Sequence, residues 1–252
     1  CRECPGARGI GGQLALNRAY KNKRNFIQDA NVTHLAPNEF VKSQTKDASL
    51  VVGDVQTAYI PIDEEIFPCK TSTSDNFSIL FGGGDFSNYR KGGDLFRQVL
   101  SLLDQKISKS NRAFPEIDIL VPGLSKSKFI QFKNLNFVYL PRASNKQELS
   151  ELYARSNTYI CCSREDSGPM MISEALMCGV KVISFDVGAA RELIANRKCG
   201  AVVPNFDINV MVDVVFDLLC DPTRENREVI RKNVLTKLNS KSFGQVLGRL
   251  IS

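Results

Sequence analysis

Seven residues separate Asp166 from Glu174 in the segment Cys162-Ser163-Arg164-Glu165-Asp166-Ser167-Gly168-Pro169-Met170-Met171-Ile172-Ser173-Glu174. An apolar run reading as a strand precedes this segment. Pro169 suits the first position of a helix that Gly179 closes. A loop carboxylate and a second one two turns into the helix can grip the two ends of a polyhydroxyl ligand by charge-assisted hydrogen bonds. The same residues also have a structural reading, with Asp166 or Ser167 capping the helix and Glu174 solvated at a half-exposed position, and the spacing does not choose between them. A second group lies earlier. Gly82-Gly83-Gly84 follows a strand and is succeeded by Arg90-Lys91-Gly92 at the start of a helix. Together these offer close backbone approach, two fixed cations and exposed amides, which suits a diphosphate, although such a turn also serves packing. The triplet is not the dinucleotide fingerprint, because Ser87 stands where the third glycine is required.

Other chemistries are poorly supplied. The eight cysteines, at 1, 4, 69, 161, 162, 178, 199 and 220, lie mostly in apolar stretches, and the adjacent Cys161-Cys162 suits a reducing compartment better than a disulfide framework. A cytoplasmic location is expected. Cys1 and Cys4 make half of a zinc-knuckle spacing without a second pair, and His34 is the single histidine, so neither a metal site nor a histidine-based catalytic set is expected, and no cofactor. The net charge is +6, with Arg2, Arg8, Arg18, Lys21, Lys23 and Arg24 facing only Glu3 near the start. Such a cluster is a solvated face or a salt-sensitive contact with a phosphate-bearing surface such as lipid headgroups. With only Tyr20 and Phe26 interleaved, nucleic acid is not an expected partner.

The elements that must position these residues follow from periodicity. Hydrophobic residues make up 43% of 252, charged ones 24%, which is globular composition without an apolar run long enough to span a membrane. The sequence opens at Cys1 rather than Met, so a fragment or a processed product is expected. From Phe77 short apolar runs alternate with amphipathic stretches. Strands are expected at 77–81, 117–121, 136–140, 158–162, 180–185 and 201–203. Helices are expected at 92–106, 146–155 and 169–178, near 189, and at 210–220 and 226–238. Leu95, Phe96, Val99, Leu100 and Leu103 share one face of the first helix. This alternation predicts an α/β fold, a doubly wound parallel sheet of Rossmann type, with ligands at the carboxyl ends of the strands. The interval 61–76, with Pro61, Pro68 and Thr71-Ser72-Thr73-Ser74, has linker composition. Upstream, strands at 32–36 and 50–52 around a helix starting near Asn38 read as the tail of a truncated domain. Phe243, Val246, Leu247, Leu250 and Ile251 have the spacing of a packing helix.

Lys91-Gly92, the strand leading to Ser163, the run Glu165 to Gly179, and Ser184-Phe185-Asp186-Val187-Gly188-Ala189-Ala190-Arg191-Glu192-Leu193 resemble the donor-binding domain of glycosyltransferase family 4, over roughly 77–221. The stretches Thr33 to Phe40 and Ile60 to Pro68 resemble the end of the acceptor domain and the hinge of such enzymes. The resemblance implies a retaining, nucleotide-sugar-dependent transferase with two facing Rossmann domains. Residues 1–70 would be acceptor-side remnant and hinge, 71–223 the donor domain and 224–252 C-terminal packing helices. Arg90 and Lys91 would hold the nucleotide diphosphate, Glu174 the ribose, and Asp166, or Glu165 beside it, the transferred sugar. Gly84 and the amides near Gly168, Met170 and Met171 would face sugar and phosphate, with Leu140 to Arg142 along the base. Asp85 stands where many members carry arginine, and Pro169 removes one amide donor. The implied donor is a UDP- or GDP-linked sugar, needing no metal, and the acceptor a glycan or lipid-linked hydroxyl in surface polysaccharide or lipid-linked glycan synthesis at the inner membrane surface. A non-catalytic nucleotide-sugar-binding module or partner subunit is the alternative.

Overall fold

Phe77–Phe81 and Thr158–Cys161 are buried along their whole length, so neither strand has a face that tolerates water and both must lie inside a sheet covered on two sides. The computed structural model describes residues 9–29, 32–47, 51, 53–70, 74–82, 88–124, 131–221 and 226–251. Along the chain, α1 (Gly9–Asp29), β1 (His34–Ala36), α2 (Glu39–Asp47) and β2 (Val55–Thr57) precede a strand-helix alternation. It runs β3 (Phe77–Phe81), α3 (Gly93–Lys109), β4 (Ile117–Pro122), β5 (Asn136–Leu140), α4 (Lys146–Arg155), β6 (Thr158–Cys161), α5 (Met170–Met177), β7 (Lys181–Phe185), α6 (Ala190–Leu193) and β8 (Gly200–Val203). Three helices follow, α7 (Ile208–Cys220), α8 (Arg227–Leu238) and α9 (Ser240–Ile251).

Strands β3 to β8 form one parallel sheet in the order β5-β4-β3-β6-β7-β8. The chain winds outward from β3 in one direction and from β6 in the other, which makes the boundary between them the topological switch point and the sheet doubly wound as expected. The apolar face expected on α3 is buried from Leu95 to Ile107, and Phe96 stacks on Phe81 of β3 with ring centroids 4.2 Å apart. Helix α3 packs on α7 and α5 on α8. Of the residues expected on α9, Phe243, Val246, Leu247 and Leu250 are half-buried, the helix packing on α8.

The structure departs from the local sequence pattern in four places. Strands β1 and β2 pair with each other in parallel register, His34 opposite Val55, with the second strand at Val55–Thr57 rather than 50–52. Helix α1 forms although three of its first four residues are glycines, which disfavour a helix. The linker-like interval is a packed strap: Ile62 and Phe67 are buried in the main core, Ile62 N donates to the Leu238 carbonyl at 2.8 Å, and Arg231 donates to the Phe67 carbonyl at 2.6 Å. Pro169 is the cap residue before α5 rather than its first residue, since its ψ of 100° is extended although its φ of −65° would suit a helix. The expectations placed on Cys1, Cys4, Arg2, Arg8, Leu50, Val52, Thr71 to Thr73, Gly83, Gly84, Asp85 and Ser87 lie outside the described residues.

The amino-terminal segment docks through polar contacts. Asn38 caps α2, accepting from Val41 N at 2.8 Å, while the Glu192 carboxylate of α6 accepts from the Glu39 and Phe40 amides at 2.9 and 3.0 Å and from the Tyr59 hydroxyl at 2.7 Å. The first amides of α2 thus find acceptors across the molecule.

A one-turn 3-10 helix, Tyr89–Lys91, follows β3, and Gly92 joins it to α3 in the left-handed conformation, φ 68° and ψ 33°. A Cβ on Gly92 would stand 1.8 Å from the Cys162 carbonyl oxygen. Gly92→Ala is therefore expected to destabilise the chain by about 3 kcal/mol or more, through left-handed strain and the clash together. Urea unfolding checks this, and an unchanged midpoint would contradict the packing described.

Candidate functional site

Two loops meet beside the carboxyl ends of β3 and β6. The 3-10 turn after β3 carries Arg90 and Lys91, fixed by the Asn88 side chain, which accepts from Lys91 N at 3.3 Å. The loop after β6 runs Cys162 to Pro169, and its Arg164 N donates to the Arg90 carbonyl at 2.8 Å. Lys91 Nζ lies 2.7 Å and an Arg90 guanidinium nitrogen 3.6 Å from the same oxygen of Asp166. The other Asp166 oxygen accepts from Gly168 N at 3.3 Å. With its side chain only 11% exposed, Asp166 needs those cations, since an unpaired carboxylate at that depth would be costly.

The junction opens into a cavity of about 250 Å³, whose polar walls are Arg90, Lys91, Ser163 and Asp166 and whose remaining walls include Gly82, Tyr159, Gly168, Pro169, Met170 and Met171. A Cβ on Gly82 would meet the flexible end of the Met171 side chain at 2.1 Å, so any larger residue there would push the thioether aside. No side chain caps the start of α5, so the positive end of its dipole faces the same region.

The sequence-derived residues divide accordingly. Arg90, Lys91, Asp166, Gly168, Met170 and Met171 come together in the cavity wall. Glu165 is exposed and offers only its carbonyl, 3.2 Å from Arg90, so Asp166 is the carboxylate of the pair that reaches the cavity. Leu140 ends the edge strand β5 with its carbonyl accepting from Gly123 N at 2.9 Å, and Arg142 is exposed beyond it; neither is in the cavity wall. Glu174 departs most from expectation. It is 8% exposed rather than solvated, and it accepts a hydrogen bond of 2.9 Å from the buried Tyr153 hydroxyl of α4. Burial raises its pKa, with the Tyr153 hydrogen bond pulling the other way.

Several site-shaping residues were invisible to sequence reasoning. Arg164 pairs with Asp94 seventy positions away, Asn38 donates to the Ser167 carbonyl at 2.7 Å, and Gly188 lies where a Cβ would stand 2.7 Å from the Asp166 carbonyl. Among the described residues no group of three or more His, Cys, Asp or Glu side chains is disposed to hold a metal ion. Burial pushes the Cys162 thiol, which lies against Met211 Sδ at 3.7 Å, well up and Cys178 up to about 12, which keeps both protonated and unreactive.

Residues 75–236 match the family model described as glycosyl transferases, group 1. The N-acetyl-alpha-D-glucosaminyl L-malate synthase of Bacillus anthracis is 25% identical over 203 residues, covering 75% of this chain and 51% of that protein, so the chain spans about half the length of that relative. Among solved structures, sucrose-phosphate synthase from Thermosynechococcus elongatus has a TM-score of 0.70 at 17% identity, over 98% of this chain and 63% of that one. Anabaena HepE in complex with UDP-glucose has a TM-score of 0.64 at 14% identity, over 94% and 69%. The pneumococcal O-GlcNAc transferase GtfA with UDP and GlcNAc gives 0.64 at 13%, over 92% and 47%.

The burial of Glu174 has a pH signature. Because its folded pKa is raised above the ordinary 4.5, its stabilising contribution is complete below 4.5 and is lost as pH rises through the folded value. Glu174→Gln removes that loss while keeping an acceptor for Tyr153. Its melting temperature relative to the parent should therefore climb as the pH rises above 4.5, and a pH-independent difference would show that the carboxylate is not strained by burial.

Proposed function

The chain belongs to the group 1 glycosyl transferases, and from that membership we propose that its cavity is the donor site of a retaining, nucleotide-sugar-dependent transferase of the family 4 type. One observation carries the reading: Arg90 and Lys91 converge on Asp166, within 3.6 Å, at the wall of a cavity at the sheet's switch point. The two cations and the start of α5 suit a diphosphate, and the carboxylate between them suits sugar hydroxyls. In this reading Tyr153 holds one oxygen of Glu174 and leaves the other for ribose, the amides of Gly168, Met170 and Met171 face sugar and phosphate, and Leu140 and Arg142 border the base. By the family resemblance Gly84 would face the phosphates as well. UDP accompanies glucose or GlcNAc in similar structures, which supports a UDP-linked sugar, with GDP as the other candidate.

Transfer then proceeds with retention. The bond from the anomeric carbon to the phosphate oxygen breaks, its electron pair leaves with the diphosphate, and the acceptor oxygen bonds to the same face while its proton passes to the departing phosphate. Charge grows on the phosphate, so Arg90, Lys91 and the helix dipole stabilise the transition state more than the ground state. Asp166 orients the sugar. Residues 1–70 would carry the acceptor side and hinge, 71–223 the donor domain and 224–252 its packing helices. Arg18, Lys21, Lys23 and Arg24, all exposed on α1, support work on a glycan or lipid-linked acceptor at an anionic, cytoplasmic membrane surface. Free thiols at every described cysteine agree with that compartment.

Calorimetry with UDP, GDP and ADP, without added metal, is expected to show binding of at least one, and silence from all three, with or without magnesium, would remove the donor site. Lys91→Ala should weaken that binding about tenfold or more, as loss of a hydrogen bond to a charged group does. Asp166→Asn frees Lys91 from its competing carboxylate, so the bare diphosphate should bind at least as tightly as to the parent while the intact nucleotide sugar loses about tenfold. Equal loss of both ligands would mean that Asp166 merely shapes the loop.

A further inference from the structure

Arg90 and Lys91 sit on a single helical turn whose side chains are half or one-third exposed, so nothing in their own burial fixes them. Besides Asn88 and Asp166, the groups that hold the turn lie next to the cavity but outside its wall. Arg164 forms a two-pronged salt bridge with Asp94 in the first turn of α3, at 2.6 and 2.5 Å. The same guanidinium donates to the Tyr89 carbonyl at 2.8 Å and lies 3.9 Å over the centre of the Tyr89 ring. Its backbone amide holds the Arg90 carbonyl at 2.8 Å. Tyr89 precedes the two cations and Asp94 follows them, so one side chain grips the segment on both sides of Arg90-Lys91 while its own backbone leads, two residues later, to Asp166.

On the donor-site reading above, we propose that Arg164 is the positioning residue of the phosphate site, holding Arg90 and Lys91 at a fixed distance from the Asp166 loop through Asp94 and Tyr89. The chemistry of the contact points to a role beyond filling space. Tyr89 is 72% exposed, so apolar burial cannot account for its place, whereas a planar cation stacked on its face can. A rigid fork is needed to satisfy both Asp94 oxygens and the carbonyl together, which a lysine ammonium cannot do. Arg164, Asp94 and Tyr89 are all absent from the cavity wall, so they act through the residues that are there. Asp94 is held below the usual carboxylate range by the Arg164 hydrogen bonds, so the pair is fully charged at neutral pH.

The test compares two ligands across variants of the same chain: whichever of UDP, GDP or ADP the parent binds, and the matching nucleoside without phosphates. Arg164→Met and Asp94→Asn are each expected to weaken the diphosphate about tenfold, with nucleoside affinity unchanged. Arg164→Lys, which keeps the charge without the fork, should recover only part of the loss. Combined with Lys91→Ala, Arg164→Met should add less than it costs alone, because the cation it positions is already gone. Equal weakening of nucleoside and diphosphate, or full additivity with Lys91→Ala, would overturn the proposal in favour of general support of the fold. Unchanged diphosphate binding in all three single variants would overturn it outright. A parent that binds none of the three nucleotides brings down the donor-site reading itself, a result separate from any variant. If Arg164→Met does not fold by melting or circular dichroism, Arg164→Lys and Asp94→Asn carry the comparison.

Discussion

At Gly92 the chain runs so close to the carbonyl of Cys162 that a side chain of even one carbon would stand 1.8 Å from its oxygen. That approach is possible because two parallel strands, β3 and β6, lie side by side at the centre of the sheet while their continuations wind away in opposite directions. The turns leaving them are free to lean together over the strand ends. Everything polar at the site depends on this contact. It brings the Arg90 carbonyl to the Arg164 amide, Lys91 to Asp166, and the start of α5 to the same opening.

The resulting cluster is electrostatically closed on itself. Two cations surround a carboxylate with little access to water, and the attraction offsets the desolvation each would suffer alone. A diphosphate entering such a site meets positive charge already held in place, at the cost of sharing it with Asp166. Glu174 is balanced differently: it is buried against Tyr153 with no cation in hydrogen-bonding distance among the described contacts, so burial strains its carboxylate by more than the Tyr153 hydrogen bond and the Lys146 charge relieve it.

The amino-terminal segment is tied to this centre by hydrogen bonds that helix geometry alone requires. The opening amides of α2 have no partners within their own helix, and Glu192 supplies acceptors from 150 or so positions away, as side chains routinely do at helix starts. Asn38 completes the cap with one end of its amide and holds the Ser167 carbonyl with the other. A single buried asparagine thereby connects a helix start with the loop that presents Asp166.

By itself the sequence determined the alternation of strands and helices from Phe77 onward and the apolar face of α3, which are local properties set by side-chain period and turn residues. Arg90 and Lys91 in one turn and Asp166, Gly168, Met170 and Met171 in another are each contiguous in the chain, but only the family resemblance suggested that the two groups meet. The tertiary structure decided what depends on residues far apart in sequence. Composition made 61–76 a linker, but Ile62 and Phe67 are buried in the main core. Helical spacing left Glu174 half-exposed, but α4 lay against it. Nothing in the local sequence marks Arg164, because its partners Tyr89 and Asp94 are brought to it only when the sheet forms, and the energy of an ion pair or a buried ring depends on distance in space, which local pattern does not encode.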